Sequence, residues 1–189
     1  VGSDLMGLDM YLMANQYTSK YIRPELRTKL IKVLPPEIKK AEEKNNIGIV
    51  NTSVEIGYWR KANQIHGWFV ENAQEGNDNC GKYYVSRKQL KKLLGLCKKV
   101  LEESKMEKGK ITNGQTIDKN GKWIDIKEDG EFIKNPETAE KLLPTKSGCF
   151  FGGSDYDEYY TYNLKHTIEI IERCLKLPKE WDIEYNSSW

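Results

Sequence analysis

At 189 residues the chain is long enough for one domain with a sizeable core. Hydrophobic residues make up 38% and charged residues 31%, which is polar for a globular protein but not a disordered composition. Thirty basic against 28 acidic residues leave +2, too balanced for charge alone to indicate a nucleic-acid partner. No stretch approaches the ~20 apolar residues of a membrane span, and no basic-then-apolar leader is present, so a soluble cytoplasmic protein is expected.

Val1 to Leu5 read as a vector-derived scar ahead of a start at Met6, which makes 6–189 the expected single domain. Leu8, Met10 and Leu12 alternate with Asp9, Tyr11 and Met13, the period of a half-buried strand. Pro24 suits the first turn of a charged helix, Pro35-Pro36 breaks it, and a second helical piece follows from Glu37 to Lys44. Ile47 to Ile56 reads as a second strand pairing with the first. Tyr58, Ala62, Ile65 and Phe69 recur at helical spacing and predict a helix from Gly57 to Asn72.

Gln74 to Gly81 is a turn-rich loop, and Lys82 to Val85 a short extended piece. Ser86 and Gln89 form a capping box opening a helix whose apolar face is Leu90, Leu93, Leu94, Cys97, Val100 and Leu101. Its lysines lie off that face, as on a solvated helix surface. Residues 109–135 change character, with turn signals at Asp118–Gly121 and Glu128–Gly130, and read as a surface hairpin insertion. Asn135-Pro136 starts a short helix to Leu143. Cys149-Phe150-Phe151 reads as a buried strand between glycines. Ser154 and Asp157 look like a second capping box, launching a long helix to Leu177, and Trp181, Ile183 and Tyr185 suggest a last strand. The expected fold is α+β, a small antiparallel sheet packed against about three main helices.

Two segments carry candidate chemistry. If residues 57–72 are helical, Trp59, Asn63 and His66 share one strip beside the apolar stripe. A ring, an amide and an imidazole suit a planar polar ligand, whereas the plainer reading makes Trp59 core and gives His66 a backbone carbonyl. Arg60 lies further round. In the second segment, Phe151, Gly153, Ser154 and Tyr156 bracket a glycine bend into a helix N-terminus, a natural seat for an anion. Asp155, Asp157 and Glu158 sit there already, either capping the helix or holding a divalent cation. With only His66 and His166 present, a nucleophile such as Cys149 activated by His66 is the weaker reading, and the glycines lack the phosphate-loop ending.

The blocks Met6-Gly-Leu-Asp-Met-Tyr-Leu12, Gly57-Tyr-Trp-Arg-Lys-Ala-Asn-Gln-Ile-His-Gly-Trp-Phe69 and Gly148-Cys-Phe-Phe-Gly-Gly-Ser-Asp-Tyr-Asp-Glu-Tyr-Tyr160 resemble a family of small, mostly uncharacterised proteins encoded by bacteriophages and prophages. The resemblance covers the start, the central helix, the Ser86 helix and the last third, and omits 109–135. It implies a phage accessory protein in the bacterial cytoplasm and transfers no catalytic residue. The expected function is binding, without chemistry, of a small phosphorylated or nucleotide ligand, sequestering a host-defence signal. The alternatives are a metal-dependent enzyme acting on nucleotides and a protein-binding inhibitor of a host enzyme. No cofactor is expected; Mg²⁺ enters only with the enzyme alternative, and oligomerisation is left open.

Overall fold

The computed structural model describes residues 7–19, 21–44, 48–148 and 151–189. Its elements in chain order are β1 (Asp9–Tyr17), α1 (Pro24–Ile31), α2 (Pro36–Glu43), β2 (Asn51–Arg60), α3 (Asn63–Ala73) and β3 (Tyr83–Tyr84). They continue with α4 (Arg87–Glu103), β4 (Met106–Ile117), β5 (Trp123–Ile133), α5 (Glu137–Leu142), α6 (Glu158–Leu175) and β6 (Asp182–Ser188). The fold is α+β. A four-stranded antiparallel sheet has the order β2-β1-β6-β3, and β4 and β5 form a separate two-stranded ribbon.

β1 occupies an interior position because its sequence alternates cleanly. Met10, Leu12 and Ala14 are buried on one face, and Asp9, Tyr11, Met13 and Asn15 point to the other. β6 repeats the pattern with Ile183 and Tyr185 inward. The inward face is covered by α3, α4 and α6. Leu90, Leu93, Cys97 and Val100 of α4 meet Leu164, Ile171 and Cys174 of α6 in one continuous core. The free edge of β2 is blunted by α6, where His166 Nε2 bonds the Tyr58 carbonyl at 2.9 Å and Arg173 donates to the Ile56 carbonyl at 3.2 Å. Edge carbonyls met in this way offer less to a foreign strand.

The largest departure from expectation is at Gly57–Arg60, which continues β2 instead of opening a helix. Tyr58 faces outward and Trp59 inward, a strand alternation whose spacing to Ala62, Ile65 and Phe69 also satisfies a helix. Pairing with β1 decides it: Gly57 opposes Leu12 and Trp59 opposes Met10. Lys61, at φ 58°, then turns the chain, and α3 starts at Asn63.

Other boundaries also move. β5 is continuous through Glu128–Gly130, which is not a turn, because Gly130 pairs with Gly109. The Ser86–Gln89 capping box forms. At α6, however, Asp157 is the cap and accepts from the Tyr159 and Tyr160 amides, so Ser154 is not. Phe151 and its described neighbours form irregular chain; Cys149 and Phe150 lie outside the described residues.

Gly57 lies where β2 passes under α6. A methyl group there would stand 2.4 Å from Ile170 Cγ2. Gly57→Ala should therefore destabilise the fold by about 1–3 kcal/mol in urea denaturation, with part of the loss restored by Ile170→Ala.

Candidate functional site

The β2–α3 turn and the Gly152-Gly153 bend do come together, as the sequence suggests, but they close on each other. Asn63 Nδ2 donates to the carbonyls of Phe151 (3.2 Å) and Gly153 (2.8 Å), and its Oδ1 accepts from the Lys146 amide at 2.9 Å. Asn63 is 2% exposed, so these bonds replace water entirely. Gly152 adopts φ 93° with its Cα hydrogens against Lys61, where a Cβ would meet the Lys61 carbonyl at 3.1 Å.

His66 and Trp59 are likewise spent inside. Trp59 sits on a strand rather than on the helix strip, is 1% exposed, and donates its indole N–H to Thr167 Oγ1 at 2.9 Å. His66 is 1% exposed, with Nε2 3.0 Å from Asp78 Oδ1 and Nδ1 2.7 Å from the Tyr185 hydroxyl. A carboxylate only accepts, so Nε2 holds the proton and Nδ1 accepts from Tyr185. Burial lowers the His66 pKa below the ordinary 6.5, against the opposing pull of Asp78. Burial also holds the Tyr185 hydroxyl well above its ordinary value, which keeps it a donor. The chain continues outward, since Trp189 Nε1 reaches the same Asp78 oxygen at 3.3 Å and its ring lies 6.3 Å from that of Phe151. The expected ligand-facing strip of Trp59, Asn63 and His66 is thus corrected to an interior latch. β2, α3, α6 and β6 converge on it, and each polar side-chain atom of the three residues finds a protein partner.

The remaining expected site residues are scattered around this latch. Arg60 is exposed, with its guanidinium near Gly7. Phe151 is buried edge-on against His66, at 5.3 Å between ring centres. The Ser154 carbonyl accepts from Thr145 Oγ1, and the Tyr156 hydroxyl accepts from the Thr145 amide. Ser154, Asp155 and Tyr156 line an open hollow of about 260 Å³ against Lys110 and Ile111 of β4. A second hollow of about 170 Å³ lies between α3 and Leu142–Pro144 and is lined by Trp68, whose indole N–H is buried without an acceptor. Both fall below the roughly 300–1,000 Å³ of ordinary small-molecule sites.

Two of the three acids at the start of α6 are also engaged. Asp157 caps the helix, and Glu158 Oε2 accepts from the Glu131 amide at 3.0 Å. Burial raises the Asp157 pKa despite its two amide donors. Among the described residues no group of three His, Cys, Asp or Glu side chains is placed to hold a metal ion. Burial pushes the Cys97 thiol up to about 12 and Cys174 up to about 11, so neither supplies a thiolate.

Sequence reasoning missed the end of the β4–β5 ribbon. There Ile117 pairs with Trp123 on one face, while Ile124 and Ile126 lie on the other, and all four are exposed. The available signal was Trp123-Ile-Asp-Ile126, an apolar run on both faces of a strand with no neighbour left to cover it. No protein-family model, curated protein or solved structure matched this chain.

Because the fold depresses the His66 pKa, protonation favours the unfolded state. The stability it contributes is present above the ordinary value of about 6.5 and is lost as pH falls toward the lower folded value. Thermal melts should show this decline, and His66→Asn should be less stable at neutral pH yet lose less on acidification. Asn63→Ala should cost about 2–4 kcal/mol in chemical denaturation, since it leaves buried partners unmet.

Proposed function

We propose that the protein is a non-enzymatic accessory protein that binds another protein through the distal end of the β4–β5 ribbon. The observation that carries this reading is the pair of apolar faces at that end. Trp123 is 62% exposed and Ile117 54%, with Ile124 and Ile126 behind them, so no intramolecular surface covers either side. An exposed Trp beside β-branched residues is the composition of an interface anchor.

The ribbon is built to present that end rigidly. Asp118 Oδ1 accepts from the amides of Asn120 and Lys122, and the Asp118 amide donates back to the Lys122 carbonyl. At the other end the ribbon is tied into the core by buried Ile111 and Ile133, by the Ile133 amide on the Tyr156 carbonyl (2.7 Å), and by a bridge from Phe132 to Asp157. A two-stranded ribbon is marginal in water, so anchorage at the base and a locked turn favour a projecting arm over a collapsed loop. Apolar side chains on both faces suit insertion into a cleft better than docking on a flat surface.

Of the functions the sequence allows, the small phosphorylated or nucleotide ligand loses its main support with Trp59, Asn63 and His66 turned inward. The metal-dependent enzyme loses its with Asp157 and Glu158 bonded to backbone amides. Inhibition of a host protein keeps its support, and the resemblance to bacteriophage and prophage proteins makes a protein of the bacterial cytoplasm the expected partner. No helix among the described residues is long and apolar enough to cross a membrane.

Capture from a host lysate, followed by binding measurement with the recovered protein, tests the reading. Trp123→Ala should weaken that binding by about 2 kcal/mol or more and shift folding stability by no more than about 0.5 kcal/mol. Undiminished binding by Trp123→Ala, or a nucleotide that stabilises the protein and returns unchanged on denaturation, would count against it.

A further inference from the structure

The helices cover one face of the four-stranded sheet and leave the other open. From β1 come Asp9, Tyr11, Met13 and Asn15; across the pairings Tyr58 opposes Tyr11, and Glu55 opposes Met13. β6 adds Asp182 and Glu184, and Tyr84 of β3 opposes Glu184 at the far edge, 61% exposed. This face has two properties that are unusual together.

It is aromatic. The Tyr11 and Tyr58 rings lie 5.4 Å apart near its upper end, and Tyr84 is open at the side. The Tyr58 hydroxyl donates to Asp9, and that bond pushes its pKa up to about 12, so the ring stays a neutral π surface.

It is also acidic in a chain whose net charge is +2. Asp9, Glu55, Asp182 and Glu184 lie on it, Arg60 opposes Asp9, and no described lysine or arginine forms an ion pair with any of the four. The bonds these acids do make, Asp9 with Tyr58 and Glu184 with Asn15, come from neutral donors.

We infer that this open sheet face is a docking surface for a lysine- and arginine-rich polypeptide segment of a partner. The carboxylates attract such a segment, and the tyrosine faces stack on its guanidinium and ammonium groups. Four strands span about 14 Å across and β1 runs about 30 Å, dimensions that accommodate one extended strand or one helix. Phosphate-rich polymers are repelled by the same carboxylates. The inference rests on the sheet and is independent of the β4–β5 ribbon.

The test is titration of isotopically labelled full-length protein with a synthetic peptide alternating arginine and valine, followed by NMR. A peptide with glutamate in place of arginine serves as control. Tyr11, Tyr58 and Tyr84 resonances should shift with the arginine peptide alone, and affinity should fall as salt rises. Glu55→Gln/Asp182→Asn, at two exposed positions, should weaken binding about tenfold, whereas Trp123→Ala should leave it unchanged. Shifts confined to other surfaces, equal binding of the glutamate peptide, or unchanged affinity in the double variant would overturn the inference. So would a nucleic-acid oligomer shifting the same resonances, or self-association through this face in place of peptide binding.

Discussion

The architecture depends on β1 being hydrogen-bonded along both edges. It pairs with β2 from Asp9 to Tyr17 and with β6 from Asp9 to Asn15, so segments from opposite ends of the described chain share one strand. These contacts are long-range, joining Asp9–Tyr17 to Asn51–Arg60 and to Asp182–Ser188. The core that α4 and α6 lay on the inward face makes that arrangement worth its loss of chain freedom. With β1 fixed, the direction of every side chain in the sheet follows from a two-residue period, including which face the helices cover and which stays open.

Against that frame the polar residues around α3 act as a latch. Asn63 ties down irregular backbone at Lys146, Phe151 and Gly153, and His66 joins α3 to β6 through Tyr185 and to the loop at Asp78. Each group is buried and each finds a partner, which is how a polar network fixes one arrangement among several of similar packing. The same satisfaction removes these side chains from ligand binding. An amide or imidazole already bonded on each available side would have to break those bonds before it could read a substrate. The latch accounts for a sequence block that looks functional by composition and serves structurally.

Both proposals therefore lie outward, at surfaces where the chain leaves interactions incomplete. The ribbon exposes apolar groups on two faces, and the open sheet face holds carboxylates that form no ion pair among the described residues, beside neutral aromatic rings. They differ in chemistry, one apolar and one acidic, and sit on separate parts of the molecule. Taken together, the two proposals have the protein hold one partner at two places, or two partners at once.

Local pattern was enough for β1, α4, α6 and β6, because each buries one face and its period is visible in a single segment. The Ser86 capping box and the Asp118 turn were legible for the same reason: their hydrogen bonds close within a few residues. The stretch from Gly57 to Arg60 was not, since Tyr58, Ala62, Ile65 and Phe69 satisfy a helix as well as a strand turning into a helix, and only pairing with β1 chooses. The role of Trp59, Asn63 and His66 was likewise beyond local reading, because Thr167, Gly153, Tyr185 and Asp78 are distant in sequence or sit in a loop. Residue types and periods determined which segments form elements. Tertiary structure alone decided which polar groups are used up inside and which faces remain for a partner, because burial depends on neighbours that the local sequence does not contain.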